Sequence, residues 1–258
     1  MPFREVDKSP EKIRRMFGTI APWYDFLNRF LSLGIDVSWR KRCADRLLAA
    51  TTVDGPILDV CTGTADLALA LWRRQRKSTT AHKVFGVDFS PEMIEIGKKK
   101  TRNTDIELSV GDALNLPFDD ATFAAVCVAF GLRNVGDTDR GLTEMIRVCK
   151  PGGIVAVLEF SMPTRPILGG LYRFYFRTVL PRIGQCLAKN RDDAYTYLPE
   201  SVLQFDDPKH LAQRMQHIGF VDLQSFPMTF GTATLHLATN PSLHEYPSNL
   251  KMMDSAIS

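Results

Sequence analysis

Three short stretches of this 258-residue chain put carboxylates where they could hold a nucleoside. Asp59 lies near the end of an apolar run, PILDV, and Cys61-Thr62-Gly63-Thr64-Ala65 follows before a helix opens at Asp66. A turn of small residues between a strand and a helix lets backbone approach a ligand closely and offers it N–H groups. Asp88 ends a second run, VFGVD, where a carboxylate can accept from both hydroxyls of a ribose. Asp112 and Ala113 follow a third run, ELSVGDA. An acid there can accept from an adenine amino group while the next backbone unit lines the ring. The dinucleotide fingerprint GxGxxG is absent from the first turn, where Gly63 is the one glycine.

These residues need a scaffold that brings three strand ends to one edge. From residue 56 the pattern alternates: strands at 56–60, 83–88, 105–110, 122–128 and 153–159, with helices at 65–76, 91–100 and 138–149 between them. Continuous apolar strands alternating with helices predict a doubly wound, mostly parallel sheet covered on both faces. A proline-started, glycine-stopped helix, DDPKHLAQRMQHIGF, and two strands at 220–227 and 230–238 then predict a C-terminal antiparallel hairpin. That makes a Rossmann-like α/β fold of seven strands.

Two segments fall outside the alternation. Ser9-Pro10-Glu11 begins an apolar and aromatic leader, KIRRMFGTIAPWYDFLNRFLSLG, which Pro22 breaks into two short helices and Gly34 stops. Packing of this leader on the main domain is one reading, and a lid over an apolar substrate is the other. A third helix spans Trp39 to Ala50. Residues 160–200 hold four prolines and an aromatic helix, LYRFYFRTVL, and read as a helical insertion. The expected organisation is a leader over 1–50, a catalytic domain over 51–239 with its insertion at 160–205, and a frayed polar tail over 240–258.

A net charge of +3 is too small to argue for nucleic acid, and the run RRQRK at 73–77 suits a helix C-terminus. The five cysteines show no CxxC pair, which favours a reducing cytoplasm over a disulfide framework. The N-terminus has no signal-peptide character, and no apolar stretch of about 18 residues exists. His210 and His217 lie on one helix without a third ligand, so no metal site is expected. His236 reads as a structural histidine of the hairpin.

DVCTGTAD, GVDFSPEM, GDALNLPF and CKPGG follow the motif order of class I S-adenosylmethionine-dependent methyltransferases. AFGLRNVGD at 129–137, LPRIG, YTYLPES and the leader are more specific: over residues 12–238 the chain resembles the ubiquinone/menaquinone biosynthesis C-methyltransferase family. The CTGTAD turn looks more like members of the menaquinone branch. The resemblance implies S-adenosyl-L-methionine as cofactor, held by Thr64, Asp88, Asp112 and Ala113. Gly63 would give close approach, and Asp59 would order the turn or receive the ammonium through water. Ala65 stands where the turn usually carries a third glycine and is expected to fit with a negative φ.

The reaction implied is C-methylation of a prenylated demethylmenaquinol to menaquinol. Ubiquinone-pathway or other small-molecule methylation is the alternative, and a non-catalytic adenosyl-ligand or lipid-binding protein is the reading from a different class. Arg133 of FGLRN is the catalytic candidate, as a cation stabilising a phenolate or positioning water, because a free guanidinium stays protonated. Its plainer reading is a salt bridge to Asp137 or Asp139. Asn134 would orient the quinol oxygen, and Tyr24, Asn28, Tyr195 and Tyr197 are candidate pocket walls. A cytoplasmic enzyme meeting a lipid substrate would touch the inner face of the membrane peripherally, and the family pattern also allows a homodimer.

Overall fold

The computed structural model describes residues 10–32, 34–76, 81–163, 201–202 and 204–241. The predicted insertion and tail, with Tyr195 and Tyr197, fall almost wholly outside these residues. The elements are α1 (Pro10–Leu31), α2 (Ile35–Ala50), β1 (Ile57–Val60), α3 (Asp66–Gln75), β2 (Val84–Asp88), α4 (Pro91–Thr101) and β3 (Glu107–Val110). They continue with β4 (Phe123–Ala129), a 3₁₀ turn at Leu132–Asn134, α5 (Thr138–Val148), β5 (Cys149–Phe160), α6 (Pro208–Ile218), β6 (Val221–Met228) and β7 (Ala233–Thr239). The sheet order is β3-β2-β1-β4-β5-β7-β6. β7 runs antiparallel to β5 and to β6; the other neighbours are parallel.

Period-two alternation sends neighbouring strand residues to opposite faces. Ile57, Cys127, Ala156 and Leu235 meet Trp39, Leu47, Leu67 and Leu71 of α2 and α3. Leu58, Val126, Val155 and Ala238 meet Leu142, Met145, Leu211 and Met215 of α5 and α6. Both layers are dry, so the sheet is a rigid base for whatever its C-terminal edge carries. Helices α4, α5 and α6 begin where the sequence says they should. Ser90, Asp137 and Asp207 each accept a backbone N–H of the helix that follows, and Pro91 and Pro208 fill first-turn positions.

Four expectations are corrected. The leader is one helix over Pro10–Leu31, continuous through position 22, and α2 begins at Ile35 rather than Trp39. A proline in a helix interior costs one hydrogen bond, which tertiary docking of the rest of the helix outweighs. Gly34, at φ +76, makes the corner between the two helices. β5 starts at Cys149 and runs through Pro151-Gly152-Gly153. Gly153 is needed there, because a Cβ would stand 2.7 Å from Cys149 Sγ and 2.8 Å from the Ala124 carbonyl oxygen. Ala65 has φ +68, not a negative value.

Candidate cofactor site

The turn after β1 alternates in handedness: Cys61, Gly63 and Ala65 all have positive φ, at 53°, 57° and 68°. These are every second position of a glycine-type loop, and two are filled by residues that pay for it in strain of about 1–2 kcal/mol each. The contortion is held from three sides. Thr62 N–H donates to the Val87 carbonyl at 2.9 Å, and Ala65 N–H to that of Thr62 at 2.9 Å. Asp59 Oδ2 accepts from the Thr62 hydroxyl at 2.6 Å and from Ala68 N–H at 3.1 Å. Asp59 therefore orders the turn and caps α3 from a distance, and burial raises its pKa to about 7.

Asp88 meets the same turn from β2. Its Oδ2 accepts from Gly63 N–H at 2.8 Å and its Oδ1 from Ser90 N–H at 2.9 Å. Burial pushes its pKa up against these N–H groups. Asp112 Oδ1 accepts from Leu114 N–H at 2.9 Å, which folds the segment after β3 over the sheet edge. A cleft with about 900 Å³ of open space lies between these strand ends. Gly63, Asp88, Asp112 and Ala113 line it, with Phe130, Gly131 and Asn134 from the segment after β4. Its roof comes from α1: Ile13, Phe17 and Tyr24 fall on one helix face. A smaller recess beside the turn is lined by Tyr24, Asp59, Gly63, Thr64, Asp66 and Ala129. α3 starts next to it at Ala65, without a side-chain cap from that residue.

A half-buried carboxylate at the cleft wall, a second acid beyond the next strand and a helix start beside the turn suit a ribose, an adenine and a carboxylate in turn. The residues present fit S-adenosylmethionine. Among the described residues, no group of three or more His, Cys, Asp or Glu side chains could hold a metal ion.

The family model for the ubiE/COQ5 methyltransferase family matches residues 5–240. The chain belongs to that family. It is 46% identical over 238 residues to the ubiquinone/menaquinone biosynthesis C-methyltransferase UbiE of Geobacter sp. (strain M21), covering 91% of this chain and 98% of the relative. It is 43% identical over 234 residues to the demethylmenaquinone methyltransferase of Deinococcus radiodurans, covering 90% and 94%. Solved structures share the fold at lower identity. A SAM-dependent methyltransferase from Thermotoga maritima superposes with a TM-score of 0.57 at 19% identity, covering 88% of this chain and 99% of its own. The [4+2]-cyclase SpnF gives 0.57 at 18% identity, covering 91% and 97%. A cyclase on the same scaffold shows that the fold does not carry the reaction.

Thr64 is buried by the turn, but its hydroxyl is engaged inside the protein, donating to Asp25 of α1 and accepting from Lys100 of α4 at 2.9 Å. Arg133 sits behind the cleft wall rather than on the lining. It is 3% exposed and pairs with Glu159 at 3.0 Å, not with Asp137 or Asp139. Asp137 instead caps α5 through Arg140 N–H. Arg133 also donates to the Phe130 carbonyl and lies over the Phe160 ring, 5.1 Å from its centroid, while its buried Nε has no hydrogen-bond partner among the described residues. Tyr24 lines both cavities, and burial raises its pKa against a hydrogen bond with Asn28. His236 is buried, with Nδ1 2.8 Å from Ser225 Oγ, and burial lowers its pKa to about 4.

Sequence reasoning did not find Glu159, Asp25 or Lys100. Glu159 reads as the last residue of a core strand, and Lys100 reads as one of three lysines suited to a helix C-terminus. Asp25 carried one signal: with Tyr24, Asn28 and Arg29 it forms two i, i+4 pairs on adjoining helix faces.

Proposed function

We propose that this chain transfers a methyl group from S-adenosylmethionine to a ring carbon of a prenylated demethylmenaquinol, giving menaquinol. The observation that carries this reading is one cleft assembling Gly63, Asp88, Asp112 and Ala113 in a chain that aligns nearly end to end with proteins named demethylmenaquinone methyltransferase. Asp88 would take the ribose hydroxyls, Asp112 and the Ala113 backbone the adenine, and the start of α3 the amino-acid end. Gly63 leaves room at the turn, and Thr64 contributes its backbone.

When bound, the cofactor supplies an activated methyl group; the protein supplies alignment and dryness. The new bond would join the methyl to a ring carbon as the sulfur–methyl bond breaks and its electron pair stays on sulfur, and the proton on that carbon would leave to water. A quinol ring is most nucleophilic as its phenolate, so a nearby cation lowers the barrier. Arg133 would support that role from behind the cleft wall, through its charge rather than by contact: Glu159 holds one end of the guanidinium and the Phe130 carbonyl takes another donor. Asn134, on the cleft wall, would orient the oxygen. The leader and the segment over 160–205 would guide the prenyl chain and meet the membrane surface; among the described residues no helix is long and apolar enough to cross one.

The test is incubation with labelled S-adenosylmethionine and reduced demethylmenaquinone in vesicles, beside a demethylated ubiquinol precursor. Label in the first lipid is expected, label in the second would move the chain to the other branch, and label in neither would overturn the proposal. Arg133 needs a paired design. Arg133→Ala strands a buried Glu159 and is expected to cost about 3–5 kcal/mol of stability. Arg133→Met with Glu159→Gln should recover most of that and keep cofactor binding, yet leave turnover low. Near-normal turnover in the double variant would remove Arg133 from the chemistry.

A further inference from the structure

Helix α1 runs along α4 and closes over the cleft. Just before its midpoint, Gly18 packs beside the Glu92 carboxylate: a Cβ at Gly18 would stand 3.1 Å from Glu92 Oε2. Seven residues later, Asp25 meets Lys100, eight residues beyond Glu92, so the two helices lie parallel. Along this stretch Phe17 and Tyr24 face the cleft, and Tyr24 Cε1 lies 3.7 Å from the place a Cβ on Gly63 would occupy.

At the far end the roof is clasped. Lys100 Nζ donates 2.7 Å to Asp25 Oδ2 of α1, 2.9 Å to Thr64 Oγ1 of the turn and 2.6 Å to Asp66 Oδ1 of α3. An ammonium has three donors, and here three separate elements use them. Thr64 in turn donates to the other oxygen of Asp25. The other oxygen of Asp66 accepts from Arg29 of α1 at 3.1 Å, and Arg29 also pairs with Asp36 of α2. Arg40 pairs with the same Asp36 oxygen. Three acids and three bases thus balance in one circuit. Burial works to raise Asp66, but Arg40, Lys100 and Arg29 overcome it and hold its carboxyl below the ordinary range.

This circuit does more than stiffen the fold, because the residue at its centre is Thr64, between Gly63 and Ala65 of the cofactor turn. Docking α1 and setting the turn are the same event. We propose that Lys100 and Asp25 are positioning residues for the adenosyl cofactor: acting through Thr64, they clasp α1 shut over the cleft, so that cofactor retention depends on an ionic latch outside the cleft lining. With the latch formed, Phe17 and Tyr24 cover the ligand; with it open, α1 lifts and the ligand escapes. Salt weakens partly exposed ion pairs, and Lys100 is 26% exposed in its side chain, so high salt loosens the roof.

The experiment uses the full chain and S-adenosylhomocysteine as probe, measuring affinity by calorimetry and dissociation rate by displacement, at low and high salt. No quinol is needed, so a failed lipid assay leaves the result standing. Lys100→Met is expected to bind about tenfold more weakly, chiefly through faster dissociation, and to lose most of the salt dependence seen in the native chain. Bound ligand should slow tryptic cleavage at Arg14, Arg15 and Arg29 in the native chain, and protect much less in the variant. Lys100→Arg should restore most of the affinity, Asp25→Asn should resemble Lys100→Met, and Lys98→Met, two positions away, should change nothing. Variants that lose thermal stability yet release the probe at the native rate would show a structural role only and overturn the proposal.

Discussion

At the scale of single residues, the site is a set of carboxylates graded in exposure, from buried Asp59 through half-buried Asp88 to exposed Asp112. Asp88 is raised by desolvation and sustained by N–H groups from Gly63 and Ser90, so it remains a strong acceptor on the cleft wall. Removing it would delete the proposed ribose contact and also free the Gly63 end of the turn. Asp88→Ala is expected to weaken S-adenosylhomocysteine binding by about a hundredfold, the size of two charge-assisted hydrogen bonds. Asp88→Asn, with one acceptor oxygen, should fall between. Calorimetry reads both, and native affinity in Asp88→Ala would move the ribose elsewhere. Glu159 makes the converse point: a buried partner decides what Arg133 can do, and no local pattern around LEF announces it.

Among the elements, the segment after β4 is built around a backbone contact. Gly131 has an ordinary φ of −109°, so its lack of a side chain serves space rather than conformation. A Cβ there would stand 2.4 Å from Cys61 Cβ, at the strained start of the cofactor turn. Both atoms are anchored near backbone, so the clash cannot be relieved by a rotamer change. Gly131→Ala is expected to cost about 1–3 kcal/mol and to weaken cofactor binding at the same time, because the turn and the FGLRN segment must separate. Denaturant unfolding and ligand titration on one preparation check both; an intact affinity would show that the turn tolerates the shift. Helix α1 teaches a related lesson. Position 22 breaks it by sequence rules, but docking along α4 and the Lys100 clasp keep it whole.

For the whole molecule, two buried groups on the sheet set how stability responds to acid. The folded state raises the pKa of Asp59 from 3.8 to about 7, so it holds a proton that the unfolded chain has released, and stability falls as pH rises through that window. The folded state lowers His236 from 6.5 to about 4, so the unfolded chain takes up a proton first, and stability rises with pH over nearly the same window. The two slopes oppose. The native chain should show a shallow response between about pH 4 and about pH 7. Asp59→Asn should expose the histidine slope and lose stability on acidification, and His236→Gln should do the reverse. Urea midpoints across the window test this, and parallel curves for all three proteins would mean that neither group is shifted. By itself, the sequence determined the alternating α/β architecture and the strand ends that carry Asp59, Asp88 and Asp112, because periodicity, caps and turn chemistry are local, while the cofactor came from the resemblance of its motifs to a family. Only the tertiary structure decided that Ala65 and Cys61 sit in left-handed backbone, that Arg133 answers to Glu159, and that Asp25 and Lys100 meet over Thr64. Each of these depends on groups far apart in the chain, whose pairing follows from how helices dock on the sheet rather than from any spacing within it.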